Sequence, residues 1–233
     1  AMVGFIFSET EGTKLERLQN YGAVEADTHG NSANGAGAAI HMAGICGFAT
    51  GNATNKICND IAYCDNYGNI TSNSARSSGI VAAANNYTRI NSCVNHGNQL
   101  NSCGTTGRLG NITCILGTQS IINGCTNHGD VVTTNSQSHA GGLLCLSNAT
   151  DCEIINSANY GNVISDLTTY RGTLVANINS LGKMDNNIAG GGIGSYNGGD
   201  YEMVAINEMN FMDYIGKIKA GNEERVTNTK YGG

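Results

Sequence analysis

The chain of 233 residues contains no proline and no tryptophan, and only 13% of its side chains are charged. Each shortage excludes something. Without proline, every reversal of the chain must come from Gly, Asn or Ser rather than from a fixed pyrrolidine φ. With Lys+Arg at 12 and Asp+Glu at 18, the formal charge is -6, so a phosphate backbone has no electrostatic reason to bind and nucleic acid is not an expected partner. No apolar run approaches the roughly 18 to 20 residues of a membrane-spanning helix, and no membrane insertion of this segment is expected. The start Ala1-Met2-Val3-Gly4 lacks the charged region that opens a signal peptide. A hydrophobic fraction of 40% is too high for a disordered tract and enough for one continuous core.

What the chain has instead is repetition. One phrase reads Cys64-Asp65-Asn66-Tyr67-Gly68, Cys93-Val94-Asn95-His96-Gly97, Cys125-Thr126-Asn127-His128-Gly129 and Ser157-Ala158-Asn159-Tyr160-Gly161, after a degenerate Leu18-Gln19-Asn20-Tyr21-Gly22. Its asparagines are spaced by 46, 29, 32 and 32 residues, and a period near 30 is that of a solenoid. A second phrase lies between the copies: Gly44-Ile45-Cys46, Gly79-Ile80-Val81, Gly110-Asn111-Ile112, Gly142-Leu143-Leu144 and Gly172-Thr173-Leu174. A third leads into each Asn turn, as in Ile61-Ala62-Tyr63-Cys64 and Ile90-Asn91-Ser92-Cys93. These apolar segments are too short for helices and are bounded by turn residues. The fold class is therefore all-β: a parallel β-helix, or β-solenoid, with about three short strands per coil of roughly 30 residues.

Stacked coils bring like residues into columns. The alignment predicts inward columns of Ile70, Leu100, Val131 and Val163, of Ile80, Ile112 and Leu143, and of Cys64, Cys93 and Cys125. At the corner, Gly68, Gly97, Gly129 and Gly161 are expected to supply a positive φ, while Asn66, Asn95, Asn127 and Asn159 bond corner backbone groups and each other. Residues 3–195 are assigned to the repeat domain and 196–233 to a C-terminal cap or tail. Asp27 to Gly35 reads as a looped-out insertion, and the pattern decays after Gly172. Gly4-Phe5-Ile6 matches the middle phrase of a coil, so the chain reads as entering in mid-coil, as a piece cut from a longer solenoid would.

Nine cysteines and the pairs Cys93-x-x-His96 and Cys125-x-x-His128 suggest disulfides or zinc. Repetition accounts for the spacing better: Tyr67 and Tyr160 take the His position, and Ser157 a Cys position. Alternation also sends Cys93 inward and His96 outward. Stacked Cβ atoms about 4.8 Å apart are too distant for relaxed disulfides, so a buried thiol column is expected, with no metal or other cofactor. Cys46, Cys58, Cys103 and Cys152 lie outside that column, and a bridge among them stays open.

The outer side of the corner presents Tyr21, Tyr67, His96, His128 and Tyr160 in succession, beside Asn69, Asn98, Asp130 and Asn162. Rings that stack on sugar faces and amides that take hydroxyls make Tyr67, His96, His128, Tyr160, Asn98 and Asp130 the candidate ligand-binding strip. A solenoid corner that simply prefers amphipathic rings is the plainer reading of the same column. No catalytic residue is assigned. Neither a metalloprotease motif, a dinucleotide fingerprint nor a P-loop is present. Asp130 and Asp166 remain the acidic pair that stacking could bring together for a glycosidase or lyase site. Five Asn-x-Ser/Thr sequons, at Asn52, Asn69, Asn86, Asn111 and Asn148, are about what this composition gives by chance.

The stretch Ile122 to Val131 with Gly141-Gly142-Leu143-Leu144, and Ile90 to Leu100 less closely, resembles the GLUG-type repeats of bacterial surface proteins. These include adhesins and the repeat regions of IgA-specific metallopeptidases. The likeness spans roughly residues 3 to 175, and the chain departs from it in its cysteines and its single Gly at Gly79 and Gly172. It implies an extracellular or cell-surface binding or spacer module, with surface glycans or host proteins as partners. Two alternatives accompany it: a carbohydrate-active enzyme on the same scaffold, and a non-catalytic repeat region of a larger peptidase.

Overall fold

The computed structural model describes residues 1–26, 41–73, 76–102, 107–178, 182–197, 200–207, 210–218, 221 and 223–232. The chain is 50% strand and 6% helix, and winds into a β-solenoid of about 32 residues per turn. The expected insertion at Asp27 to Gly35 and the thiol of Cys103 lie outside the described residues.

The three apolar phrases resolve into five ladders because two of them bend midway. One coil shows the plan: Arg76–Ser78, a bend at Gly79-Ile80, Val81–Asn85, Thr88–Asn91, a bend at Ser92-Cys93, Val94–Asn95, and Gln99–Asn101. These segments head the first to fifth ladders, which hold five, six, seven, seven and seven strands. Apart from Asp200–Met203, which adds antiparallel to Ile193–Asn197, pairing is parallel and in register from coil to coil, so Ile61, Ile90, Ile122, Ile154 and Met184 form one column, each fully buried. Ile80, Ile112 and Leu143 form another, joined by Ile45 and Leu174. Dry columns of this kind give a coil a stable interior only once neighbours cover it above and below.

Two expectations change at the corner. Gln99, not Leu100, stands level with Ile70 and Val131. Gln99 is fully buried and donates to Ser77 Oγ at 2.6 Å, while Leu100 is 42% exposed. Counting from the repeated Gly settles this, because Gly97-Asn98-Gln99 matches Gly68-Asn69-Ile70. The apolar side chain simply sits one place too late. Nor do the corner glycines have positive φ. That conformation falls on Tyr63, Ser92, Gly124, Asn156 and Asn186, the residue before each core Cys, Ser157 or Asn187. Gly68, Gly97, Gly129 and Gly161 are needed for a different reason: a Cβ on each would run into the carbonyl oxygen of the equivalent Gly one coil earlier. Close approach of coils, rather than backbone conformation, selects glycine there.

The buried side of the same corner carries an amide ladder. Asn20, Asn66, Asn95 and Asn127 each donate Nδ2 to the Oδ1 of the next Asn at 2.6 to 2.7 Å. Asn66, Asn95, Asn127 and Asn159 also each donate to the carbonyl of the Gly two residues on. The ladder touches the opposite wall. A Cβ on Gly44, Gly79 or Gly142 would collide with the side chain of Asn66, Asn95 or Asn159, and in the third coil Asn111 fills that place and donates to Gly129 O at 2.7 Å. The bend between the first and second ladders is thus pushed inward until it meets the amides. The outer surface is correspondingly concave there.

The ends depart from the repeat. Val3–Phe7 pairs with Cys46–Thr50, placing Gly4 level with Gly47, three residues beyond the match expected from sequence. At the other end the coil persists after its sequence pattern has faded: Lys183–Asp185 and Ile188–Ala189 pair in register with the coil above. Part of the tail extends it further. Val226–Thr227 and Lys230–Tyr231 add parallel strands, and the short helix Phe211–Ile215 buries Tyr214 and Ile215 under Thr173 and Leu174. Asp185 ties this segment down by accepting from Thr227 Oγ1, Lys183 Nζ and Asn228 Nδ2, which hold its carboxyl well below the usual range.

Three substitutions separate these roles. Gly97→Ala should lower stability by about 1–3 kcal/mol through overpacking against Gly68, whereas Gly4→Ala, with open space around it, should change little. Asn127→Ala removes the partners of Asn95 Nδ2 and Asn159 Oδ1, while Gly129 O keeps Asn111, and should cost about 1–3 kcal/mol for each group left unsatisfied. Urea unfolding of the three variants checks both; equal midpoints for Gly97→Ala and Gly4→Ala would contradict the close-approach account.

Candidate functional site

The sequence-predicted strip exists as a single column. Tyr21 stacks on Tyr67 at 4.8 Å, Tyr67 on His96 at 4.6 Å, His96 on His128 at 5.2 Å and His128 on Tyr160 at 5.4 Å. Interplanar angles are 3°, 4°, 6° and 19°, so the rings lie face against face. Their faces are thereby taken up by one another, and the far side of Tyr160 is closed by Gly190, whose Cβ would strike the ring. What remains open is the outer end at Tyr21, 68% exposed, and a row of ring edges bearing hydroxyls and imidazole nitrogens. A pyranose cannot stack flat on such a column along its length.

Beside the rings, a side-chain oxygen in each coil caps a backbone N–H in the next. Asn69 Oδ1 accepts from Asn98 N at 2.9 Å, Asn98 from Asp130 N at 2.9 Å, Asp130 from Asn162 N at 2.7 Å and Asn162 from Gly192 N at 3.1 Å. Asn98 and Asp130 are therefore already engaged in holding coils together. Asp166 does the same for Tyr196 N at 2.8 Å. Asp130 stands level with Asn162, four residues before Asp166, so stacking does not make the two acids an aligned pair.

The thiol column also forms. Cys64, Cys93 and Cys125 are fully buried and unbridged, as are the other described cysteines apart from the half-buried, likewise free Cys58. Cys64 and Cys93 are pushed well above the ordinary thiol range by the neighbouring thiol and by burial, and burial raises Cys46 to about 11. Such thiols are poor nucleophiles. Cys93 points into the core and His96 out to solvent, so the two cannot share an ion.

A second column was missed in the sequence. Along the first ladder, one outward position in successive coils holds His41, Arg76, Arg108 and His139, and Tyr170, just before the ladder's last strand, continues the row. Arg76 Nη1 and His41 Nε2 are 3.0 Å apart, His139 stacks on Tyr170 at 4.2 Å, and Lys217 Nζ lies 4.3 Å over the Tyr170 ring. Seven residues further along each coil, the second ladder presents Phe48, Ala83, Ile115, Leu146 and Asn177, also in register. His41 meets Phe48 edge to face at 5.2 Å, so the two columns face each other across the concave bend. Phe48, Ala83, Cys114, Ile115, Cys145 and Leu146 form a small apolar cluster separate from the main core. The result is a shallow groove whose basic wall lies over an apolar cluster that is itself closed off, Ala83, Ile115 and Leu146 being at most 5% exposed. The signal was present in the aligned copies: the residue four places before each bend Ile or Leu is His41, Arg76, Arg108, His139 or Tyr170.

Burial and like charge act together on this wall. Burial and Arg76 bring His41 down to about 4, and burial, Arg108 and Lys217 bring His139 down to about 4. Both imidazoles are neutral at pH 7, and the permanent charges of the wall are Arg76, Arg108 and Lys217. None of the ion pairs between described residues reaches Arg108. No protein-family model, curated protein or solved structure matches the chain.

The depressed imidazoles set a pH dependence of stability. Between the ordinary His value of 6.5 and about 4 the unfolded chain binds protons that folded His41 and His139 refuse, so stability falls as pH falls through that window. His128, lowered by partial burial and His96, acts in the same direction. Thermal melts should shift down from pH 7.5 to pH 4.5, and His139→Gln should flatten the slope; a melting temperature independent of pH across this range would contradict the assignment.

Proposed function

We propose that this chain is a non-catalytic binding module, a rigid β-solenoid that holds an extended polymer in the groove between its first and second ladders. The observation that carries this is the alignment of His41, Arg76, Arg108 and His139 in register over four coils, continued by Tyr170 stacked on His139, across a bend from Phe48, Ala83, Ile115 and Leu146. Parallel pairing repeats this position about every 4.8 Å, so a ligand with a repeating structure meets a polar or basic side chain at each step. A compact ligand would use only one coil's worth.

The groove serves this role better than the outer ring column, because the rings there are stacked on each other and the adjacent Asn98 and Asp130 oxygens cap backbone N–H groups. Display of glycan or protein ligands at a cell surface or outside the cell, as in an adhesin segment, fits the GLUG-type resemblance and belongs to this reading.

Binding of the whole chain to an array of soluble polysaccharides and extended peptides tests the proposal. Arg108→Gln should weaken whatever binds by roughly tenfold, the scale of one charge-assisted contact, while Tyr67→Ala and His96→Ala together should leave binding within about twofold. Loss confined to the ring variants would move the site to the outer column, and no binding to any polymer would refute the module reading.

A further inference from the structure

We infer that two copies of this chain join head to head at their first coils, the strand Lys14–Glu16 of each pairing antiparallel with the other about a two-fold axis at Leu15. The surface that calls for a partner is the open face of the first coil. Four of the five ladders begin there, on Val3–Phe7, Lys14–Glu16, Gln19–Asn20 and Val24–Ala26, and none of these strands is paired on its outer edge by a described strand. Val3, Leu15 and Leu18 pack on the core but stay half-exposed, whereas Ile61, level with Leu15 in the next coil, is fully buried. The three most exposed large apolar side chains among the described residues, Tyr21 at 68%, Phe5 at 62% and Phe7 at 59%, all belong to this coil. Phe5 lies flat on Phe48 at 4.8 Å as Tyr21 does on Tyr67, each with its other face turned toward the open end.

Backbone geometry fixes how a strand is added there. Thr13 O accepts from Asp60 N at 2.9 Å and Arg17 N donates to Ala62 O at 3.1 Å, so these groups face the second coil. Along a β-strand the direction of the N–H and C=O groups alternates from residue to residue. Leu15 therefore also faces the second coil, and the N–H and C=O of Lys14 and Glu16 face the open edge. A two-fold axis at Leu15 sets Lys14 level with the partner's Glu16, and Glu16 level with the partner's Lys14. These are the hydrogen-bonded positions of an antiparallel pair, where each residue exchanges both its N–H and its C=O with the one opposite. Leu15 meets the partner's Leu15 at the closer, unbonded position between them and covers the column that continues into Ile61.

Charge selects a second copy as the occupant. Charges on an edge strand ordinarily discourage pairing, but here a Lys and a Glu flank a single Leu on the solvent side, 61% and 35% exposed, and an antiparallel copy puts each opposite its counter-charge. Within one chain the two pair only with each other, at 2.6 Å, an exposed contact that stabilises little. The flanking segments continue the match. Glu9 and Glu11 precede the strand and Arg17 follows it, all exposed, so the same axis carries each Arg17 toward the partner's acidic segment. A strand of one sign would leave either Lys14 or Glu16 repelled.

The far end of the solenoid does not offer the same fit. Ala189 and then Tyr231 take the place of the interior Asn column there. A copy stacked head to tail would therefore set Tyr231 over Asn20, whose Nδ2 hydrogens already go to Gly22 O and Asn66 Oδ1 and whose Oδ1 calls for an amide donor. Asp200–Met203 also turns the fifth ladder antiparallel, and the helix Phe211–Ile215 lies beneath Thr173 and Leu174. Head-to-head association is isologous, so it closes at two copies with both C-terminal tails at the outer extremes.

Sedimentation velocity of the full chain over a range of concentrations tests this. Expected is a monomer–dimer equilibrium with no larger species, the dimer weakening as salt rises. Lys14→Glu and Glu16→Lys should each weaken self-association by roughly tenfold, since both cross-strand pairs of the dimer change from attraction to repulsion. The double variant Lys14→Glu/Glu16→Lys should return it to within about threefold of the original. Mixed together, the two single variants should form a heterodimer, because each supplies the sign the other lacks. A circular-dichroism melt confirms that each variant is folded. A monomer at every concentration, or association that both single variants leave unchanged, would overturn the inference, as would the open-ended assemblies that a head-to-tail contact gives. A double variant as weak as the single ones would overturn the antiparallel register. None of these outcomes bears on polymer binding in the groove, which the array reads separately.

Discussion

The structure depends on satisfying buried asparagine amides. An amide enclosed in an apolar interior is costly unless both its N–H groups and its oxygen find partners. In the corner ladder Asn20, Asn66, Asn95 and Asn127 each give Nδ2 hydrogens to the Gly carbonyl of their own turn and to the next Asn, so no single one of these coils can satisfy its own corner. That requirement fixes the coil-to-coil register more tightly than apolar packing, which tolerates exchanges such as Ile154 for Ile122 or Met184 for Ile154. A slip by one residue would bury amides opposite carbon. The glycines follow from it, since only a residue without Cβ lets the turns approach closely enough for the amide bonds to form.

The groove is a consequence of the same ladder. The bend at Gly44, Gly79 and Gly142 reaches inward until it rests on the Asn side chains, and that inward press makes the outer surface concave. Once the surface is concave, a side chain on one ladder faces a side chain on the next. Functional geometry on the outside is thus set by hydrogen bonding on the inside. Mutations in the ladder should disturb the wall and floor without touching either.

Most of the architecture was legible because repetition writes itself into spacing. The Asn column, the bend Ile and Leu column, and the thiol column all follow from aligning copies. What was not legible has physical causes. Leu100 was read as core because it is apolar and one position from the right place, and a neighbouring Gln that hydrogen-bonds to Ser77 inside a solenoid is hard to foresee from polarity alone. Positive φ was assigned to glycine because glycine adopts it most easily, yet Tyr63 and Ser92 accept it where a sharp bend leaves no alternative. The tail looked foreign because its composition changes, while backbone pairing, which ignores side-chain identity, carries the coil onward. The basic column was overlooked because two His, two Arg and one Tyr do not look like a repeat unless charge and ring are read as one position.

Hydrogen bonds along a stack have a direction. In the interior ladder every Nδ2 points from the earlier coil toward the later one. On the outside, Asn91, Asn123, Asn156 and Asn186 each point Nδ2 back toward the preceding coil, beginning at the carboxylate of Asp60. The backbone N–H groups capped by Asn69, Asn98, Asp130 and Asn162 also point back. The solenoid therefore carries opposed hydrogen-bond chains, one running up inside its corner and two running down its surface. Longitudinal fields largely cancel at a distance, so the stack can lengthen coil by coil without the growing end-to-end polarity that a long α-helix accumulates.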